Sequence, residues 1–181
     1  MDVAAGKGFT VLDDFKFEDE DRPEGFPWEP PGEGEIPPPG SGDLDEKEVQ
    51  VVGVYEHPEQ AGGQPAALVL LRDSRGRSVP IFIGKFEAMA IWLALEGTSA
   101  DRPLTHDLLN NVISRMGGTI ERILIDDLWN NTYYAKLTIA VDGKTLEIDS
   151  RPSDGIALAV RAKAPIYMAE AVLERAAVQE E

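Results

Sequence analysis

Apolar and polar residues alternate along several stretches of this chain, as they do in β-strands that bury one face. The first such stretch is 48-EVQVVGVYE-56, and a loop rich in Pro and Gly follows it at 57–65. Turn sequences such as Asp142-Gly143 separate later stretches of the same kind. The predicted strands cover residues 48–56, 66–73, 78–84, 119–129, 132–141 and 144–150, with a short strand or connector at 166–168.

Apolar residues spaced three or four positions apart predict four helices. In the first, Phe86, Met89, Ala90 and Leu93 recur on one face, the pattern of a helix that packs on a core, and Gly97 supplies the stop. The predicted helices cover residues 85–97, 105–118, about 153–163 and about 169–178. Because hairpins outnumber βαβ crossovers, the predicted fold class is α+β, a mostly antiparallel or mixed sheet with helices packed on it.

The first 47 residues show neither the alternation typical of strands nor the three- or four-residue spacing typical of helices. They contain seven of the 13 prolines and carry a net charge of −10 out of −16 for the chain. Such a segment buries too little apolar surface to offset its ordering entropy, so we expect an extended or disordered arm at 1–47 and a single compact domain at 48–181. Two interpretations stay open, a solubilising tail or an arm that docks its aromatic residues on its own domain or on a neighbouring subunit.

The composition narrows the class of protein. The chain has no cysteine, which excludes disulfides, thiolate chemistry and zinc sites built on Cys. No basic and apolar leader opens it, and its longest apolar run, 88-AMAIWLAL-95, is far shorter than the roughly 20 residues that span a bilayer. We therefore expect a cytoplasmic protein without a membrane segment. The net charge argues against passive attraction to nucleic acid, although most of the excess lies in the arm.

Two helix starts share one plan, 101-DRPLTHDLL-109 and 150-SRPSDGIAL-158. In each, a hydroxyl residue that can cap the helix, Thr105 or Ser153, follows an Arg-Pro pair. An acid, Asp107 or Asp154, then lies in the first turn, where the helix dipole favours negative charge. Helix capping alone therefore explains most of this pattern.

Capping does not explain Arg102 and Arg151, because a cation beside a helix N-terminus is unfavourable with the dipole alone. An anion between them would resolve this, either an internal carboxylate or a phosphate of a ligand. His106, one of two histidines, is either a packed or capping residue or a general base or metal ligand. His57 is interpreted as incidental, and Glu87 is assigned to a solvated helix face.

Four segments together resemble the bifunctional nuclease domain family, and the match spans about 48–178. They are 79-VPIFIGKFEAMAIWLAL-95, 102-RPLTHDLL-109, 126-DDLWNNTYYAKL-137 and 149-DSRPSDGIALAVRAKAPIY-167. The resemblance implies a compact α+β domain, usually a homodimer, that cleaves both DNA and RNA with little sequence preference. One mild departure is Gly155 in place of the usual Ala, which we expect to change little beyond helix propensity.

For a nuclease, the chemistry of phosphodiester hydrolysis suggests a role for each polar residue. Arg102 and Arg151 would bind the phosphate, assisted by the hydroxyl groups of Thr105, Ser150 and Ser153. The carboxylates of Asp107, Asp149 and Asp154 would hold Mg²⁺ or Mn²⁺, which prefer oxygen ligands. His106, together with Asp107 and Asp154, would form the catalytic group.

The alternative is a non-catalytic dimeric interaction or regulatory module in which the Arg-Pro helix starts are purely structural. In its favour, the chain lacks a dense basic patch with interleaved aromatic residues. The positions of these residues in the structure would distinguish the nuclease from the non-catalytic module. Convergence of both Arg-Pro turns in one open, carboxylate-lined cleft would support the enzyme, whereas Asp107 and Asp154 lying apart, each bonded to its own backbone, would support the module.

Overall fold

The computed structural model describes residues 45–57, 66–98 and 100–178. The predicted arm lies almost wholly outside these residues. The described elements, in chain order, are β1 (Glu46–His57), β2 (Ala66–Asp73), β3 (Ser78–Ile83), α1 (Lys85–Leu95), α2 (Thr105–Arg115), β4 (Gly118–Trp129), β5 (Thr132–Val141), β6 (Lys144–Ser150), α3 (Pro152–Ala162), β7 (Ile166–Ala169) and α4 (Glu170–Ala176).

The seven strands form one mixed sheet in the order β3-β2-β1-β7-β4-β5-β6. Four pairs of consecutive strands form antiparallel hairpins, β1–β2, β2–β3, β4–β5 and β5–β6, and among the described strands only β4 and β7 run parallel. The predicted α+β class is confirmed. The segment 166–168, predicted as a strand or connector, is the strand that joins the two halves of the sheet, since β7 pairs with β1 on one side and β4 on the other.

The sheet is strongly curved. Tyr133 of β5 brings its hydroxyl to 3.5 Å from the carbonyl oxygen of Pro80 in β3, although four strands lie between β3 and β5 in the sheet order. Sheets twist because each strand has a right-handed twist, and the bulges at Val52, Glu121 and Asp126 add to it locally. Curvature therefore brings segments from opposite edges of the sheet together, and the candidate site forms there.

Helix α3 lies at the centre of the core. Its residues from Pro152 to Ala159 are buried, apart from the half-buried Asp154, and they pack with strands β4 and β5. Gly155 allows this close approach, because a Cβ atom there would lie 1.7 Å from Cδ1 of Ile123. The close contact with Ile123 gives this glycine a packing role that the expectation from helix propensity did not include.

Helix α1 packs on the core with a different face from the one predicted. Ala88 and Ile91 are buried, whereas Phe86 and Met89 are 79% and 49% exposed. Trp92 is exposed as well, so the helix is apolar on its outer side. Because apolar residues occur all around this helix, periodicity could not identify its buried face.

The last helix is shorter than predicted. It ends at Ala176, and the N–H of Val178 donates to the carbonyl oxygen of Ser78 at 2.7 Å, which forms an isolated bridge to the edge strand β3. Within the described ranges, no helix is long and apolar enough to cross a membrane.

Candidate functional site

The two similar helix starts differ in detail from the prediction. Arg151 is the N-cap of α3, and its carbonyl oxygen accepts the N–H groups of Asp154 and Gly155 at 3.1 Å each. Leu104 is the N-cap of α2. The predicted caps Thr105 and Ser153 therefore lie inside their helices and do not cap them, because each helix begins earlier than the hydroxyl residue suggested.

Asp154 connects the two helix starts. Its Oδ2 accepts the Nε–H of Arg151 at 2.8 Å, its Oδ1 lies 3.3 Å from Nη2 of the same guanidinium, and Oδ1 is also 3.1 Å from Nε2 of His106. Burial alone would raise the pKa of Asp154, but the hydrogen bonds and charges of Arg151 and His106 outweigh it and lower the pKa. Asp154 is thus held as an anion between Arg151 and His106.

An ionised carboxylate can only accept hydrogen bonds, so the hydrogen between His106 and Asp154 is on Nε2. In the neutral ring, Nδ1 is then unprotonated. A histidine fixed in one tautomer by a carboxylate is the arrangement that general bases use. His106 and Asp154, which the sequence analysis assigned separately to a catalytic group, are thus in direct contact across two helices.

Glu87 is a member of this cluster that the sequence analysis placed on a solvated face. Its Oε1 accepts from Nη1 of Arg151 at 2.9 Å, and its side chain is only 23% exposed. A signal for it does exist in the sequence. Glu87, Asp107 and Asp154 each occupy the third position of their helix, so the three helix starts share an acid at the same place.

A hollow of about 340 Å³ lies beside Arg151. Its walls come from both edges of the sheet, namely the end of β3, the start of α1, the turn between β4 and β5, and the start of α3. They include Ile83, Gly84, Glu87, Asn131, Tyr133 and Ser153. Burial raises the pKa of Tyr133, whose phenol therefore stays protonated, and its one hydrogen is donated to the carbonyl oxygen of Pro80.

Asp107 lies in a different place from Asp154. Its Oδ1 accepts from Nε of Arg161 at 2.6 Å and its Oδ2 accepts the N–H of Leu104 at 2.9 Å. The hydrogen bond from Arg161 is the largest of the effects that lower the pKa of Asp107. Arg161 is nine-tenths buried and also donates to the carbonyl oxygens of Ala90 and Ala157, so it ties α1, α2 and α3 together.

The two Arg-Pro turns do not converge in one cleft. Arg151 borders the hollow described above, whereas Pro103 and Asp107 border a second one, of about 320 Å³, between α1 and α2. Arg102 is exposed and forms no ion pair with the described residues. Ser150 is also displaced from the predicted role, because its Oγ is buried and has no hydrogen-bond partner in the described part of the chain.

The three carboxylates proposed as metal ligands do not fit a single ion. Asp107 and Asp154 are each bonded to a different arginine. Ser150 faces α3, since its Oγ lies 3.2 Å from where a Cβ of Gly155 would be, and Asp149 therefore points to the opposite face of the sheet. Among residues 45–57, 66–98 and 100–178, no three His, Asp or Glu side chains are grouped so that they could hold a metal ion.

A model of the bifunctional nuclease domain matches residues 69–181. The chain belongs to this family. The match covers more than half of the chain and includes α1 and both Arg-Pro helix starts. It also includes the Arg151 cluster, which consists of Glu87, His106, Arg151 and Asp154. The resemblance described from the sequence motifs is thus confirmed.

Individual proteins are similar to this chain as well. An uncharacterized protein of Mycobacterium tuberculosis is 42% identical over 130 residues, which cover 71% of this chain and 75% of that protein. Bifunctional nuclease 1 of Oryza sativa subsp. japonica is 27% identical over 106 residues, 57% of this chain and 32% of the rice protein. Bifunctional nuclease 2 of Arabidopsis thaliana is 27% identical over 124 residues, which cover 64% of this chain and 37% of the Arabidopsis protein. The aligned part is about a third of each plant protein.

Proposed function

We propose that this chain hydrolyses phosphodiester bonds of DNA and RNA at the hollow beside Arg151. The proposal rests on the hydrogen bonds and the exposure of the Arg151 guanidinium. It has five N–H donors, of which Asp154 and Glu87 accept three. The side chain is 66% exposed at the edge of the hollow, so two donors are accessible to an external phosphate.

The charge of the cluster places a condition on substrate binding. Glu87, Arg151 and Asp154 together carry a net charge of −1, which repels a phosphodiester. A proton on His106 would cancel this charge, and the same ring, which contacts Asp154, would exchange a proton with the attacking water or the leaving oxygen. We infer that His106 has both roles, while Asp154 orients it.

The test is an assay of the purified chain on plasmid DNA and on single-stranded RNA, with Arg151→Gln, His106→Ala and the control Arg115→Gln purified in parallel. Arg115 is exposed on α2 and lies outside the cluster, so its variant controls for the loss of one positive charge. We expect at least a 100-fold loss of kcat/KM in the first two variants, because each loses phosphate contact or acid–base catalysis, and no change in the control.

Each assay is run with added Mg²⁺, with added Mn²⁺ and with EDTA, because assistance by a divalent metal remains a prediction. Equal cleavage by wild type and by Arg151→Gln would indicate a contaminating nuclease and would overturn the proposal. A wild-type chain without cleavage under all three conditions would do the same.

A non-catalytic interaction or regulatory module is the second candidate. It is favoured by Asp107, which accepts from the backbone of its own helix start and from Arg161, and has the surroundings of a structural cap. The assay above separates the two functions. If the chain is a non-catalytic module, wild type and Arg151→Gln should show the same cleavage, at the background level of the assay.

We also propose that the chain forms a homodimer through the outer faces of α1 and α2, which both pack against α3. A soluble protein rarely exposes so many large apolar side chains on two adjacent helices without a partner. A standard interface buries about 800 Å² on each partner, and eight exposed apolar side chains on these two helices would contribute to it. They are Phe86, Met89, Trp92, Leu95, Leu108, Leu109, Val112 and Met116.

A further inference from the structure

We propose that Glu87 is a positioning residue for Arg151. The inference rests on the proposed function, because it concerns the same guanidinium, and it assigns a role to a side chain that does not itself have to touch the substrate. Glu87 is on α1, directly after the edge strand β3, whereas Arg151 follows the opposite edge strand β6. Their 2.9 Å contact therefore connects the two edges of the curved sheet at the hollow.

Two carboxylates hold the guanidinium from different sides. Asp154 occupies Nε and Nη2, and Glu87 occupies Nη1. With Asp154 alone, a side chain that is two-thirds exposed could still turn away from the hollow. With both acceptors in place, the plane of the guanidinium is fixed, and so is the direction of its two remaining N–H groups. Fixing a phosphate-binding group in advance lowers the entropic cost of binding and of reaching the transition state.

Gly84 indicates that the fold makes room for this carboxylate. A Cβ atom on Gly84 would lie 2.4 Å from Oε2 of Glu87, so the flexible end of the Glu87 side chain would have to move aside. The backbone does not require glycine there, since its φ of −72° and ψ of 161° suit any residue. What the absence of a side chain provides is space for Glu87 to fold back over the first turn of α1 toward Arg151.

Substitutions at both positions test the proposal through kcat and KM on a short RNA oligonucleotide. Glu87→Ala removes the acceptor and Gly84→Ala displaces it, so we expect each to lower kcat/KM by about 10- to 100-fold, the range for misplacing a catalytic contact by about 1 Å. Glu87→Gln keeps an oxygen that accepts from Nη1, and we expect it to stay within about threefold of wild type. The double variant should be no worse than either single one, since Gly84 acts through Glu87.

The matched control is Glu96→Ala, which removes a carboxylate from the other end of α1, and we expect wild-type kinetics. Two outcomes would overturn the inference. If Glu87→Gln is as inactive as Glu87→Ala, then Glu87 carries a proton in the reaction and is a catalytic residue. If Gly84→Ala has wild-type kinetics, then the carboxylate does not need its observed position.

A second readout does not depend on nuclease activity, and it separates failure of this inference from failure of the proposed function. Nitrogen NMR resolves the Nε–H groups of ordered arginines, and Arg151→Lys identifies the signal of Arg151. We expect this signal to broaden in Glu87→Ala and in Gly84→Ala and to stay sharp in Glu87→Gln. An unchanged signal in both alanine variants overturns the positioning role even if the wild-type chain cleaves RNA. A broadened signal in a chain without nuclease activity supports the positioning role and overturns only the reaction.

Discussion

Gly155 of α3 packs directly against the side chain of Ile123, which is fully buried in β4. A Cβ at this position would lie 1.7 Å from Cδ1 and 2.9 Å from Cγ1 of Ile123. The side chain of Ile123 would have to shift within the buried core. Glycine at position 155, where the family usually has alanine, is therefore coupled to the side chain of Ile123.

We predict that Gly155→Ala destabilises the fold by up to about 2 kcal/mol. Overpacking of a core costs about 1–3 kcal/mol, and alanine in a helix interior returns at most about 1 kcal/mol. Shortening the opposing side chain should relieve the clash, so Gly155→Ala combined with Ile123→Val should be more stable than the sum of the single changes predicts. Urea unfolding of the four proteins measures this, and a Gly155→Ala protein more stable than wild type would contradict it.

The sequence identified part of the Arg151 cluster and missed part for a geometric reason. His106, Arg151 and Asp154 lie at two helix starts with matching motifs, and they do come together. Glu87 was missed because it reaches Arg151 only through the curvature of the sheet, which no local pattern encodes. Asp149 was wrongly grouped with them, since it is adjacent in the sequence but alternates to the other face of β6.

At the scale of whole elements, the turn between β2 and β3 is tied to α4 by a buried acid. Oδ1 of Asp73 accepts the N–H groups of Arg75 and Arg77 at 2.9 Å each, and Oδ2 accepts from Nε of Arg77 at 2.8 Å. The same guanidinium donates to both carboxylate oxygens of Glu170 at the start of α4, at 2.9 Å each. Burial raises the pKa of Asp73, but these hydrogen bonds outweigh it, so the pKa is lower than usual.

We predict that Asp73→Ala lowers the free energy of unfolding by about 2–3 kcal/mol near neutral pH, somewhat less than a fully buried ion pair costs when one partner is removed, because Arg77 keeps Glu170. Since folding lowers the pKa of Asp73, its contribution is complete above the unfolded pKa of about 4 and is lost as the pH falls through the lower folded value.

The difference in unfolding free energy between wild type and Asp73→Ala should therefore stay constant above about pH 5 and narrow as the pH falls below about 4. Urea unfolding across this range measures it. Asp101→Ala, which removes an exposed carboxylate, should match wild type throughout, and a difference for Asp73→Ala that stays constant with pH would contradict the prediction.

Most element positions followed from local pattern, and the errors share a cause. Strands with one buried face alternate, and turn residues such as Asn130, Asn131 and Asp142, all with positive φ, mark the hairpins. The face of α1 was wrong because Phe86, Met89 and Trp92 give it apolar residues on its outer side too. The end of α4 was wrong because Val178 pairs with the distant Ser78, and a contact across the fold overrides helix periodicity.

At the scale of the whole molecule, the short strand β7 decides the topology. It places four residues between the β1–β3 and β4–β6 meanders and closes both into one sheet. Pairing between strands so distant in sequence depends on the final packing and leaves no local signal, so the strand order could not be predicted. The resulting curvature brings β3 and α1 to the start of α3, which is what assembles the Arg151 cluster.

The apolar outer surface of α1 and α2 leads to the last prediction, which concerns assembly. If it is the homodimer interface, Trp92→Asp should convert a dimer to a monomer at micromolar concentration, because an unpaired carboxylate would be buried in the contact. Trp92 is 49% exposed in the single chain, so Trp92→Asp should also cost the fold about 1–3 kcal/mol from the half of the side chain that is buried. Light scattering coupled to size exclusion measures the mass.

Leu146→Asp on the edge strand β6, similarly exposed at 48%, is the matched control and should stay dimeric. A monomeric wild type would remove the interface, and a monomeric Leu146→Asp beside a dimeric Trp92→Asp would assign it to the edge strand, where backbone pairing and not helix packing would join the two copies.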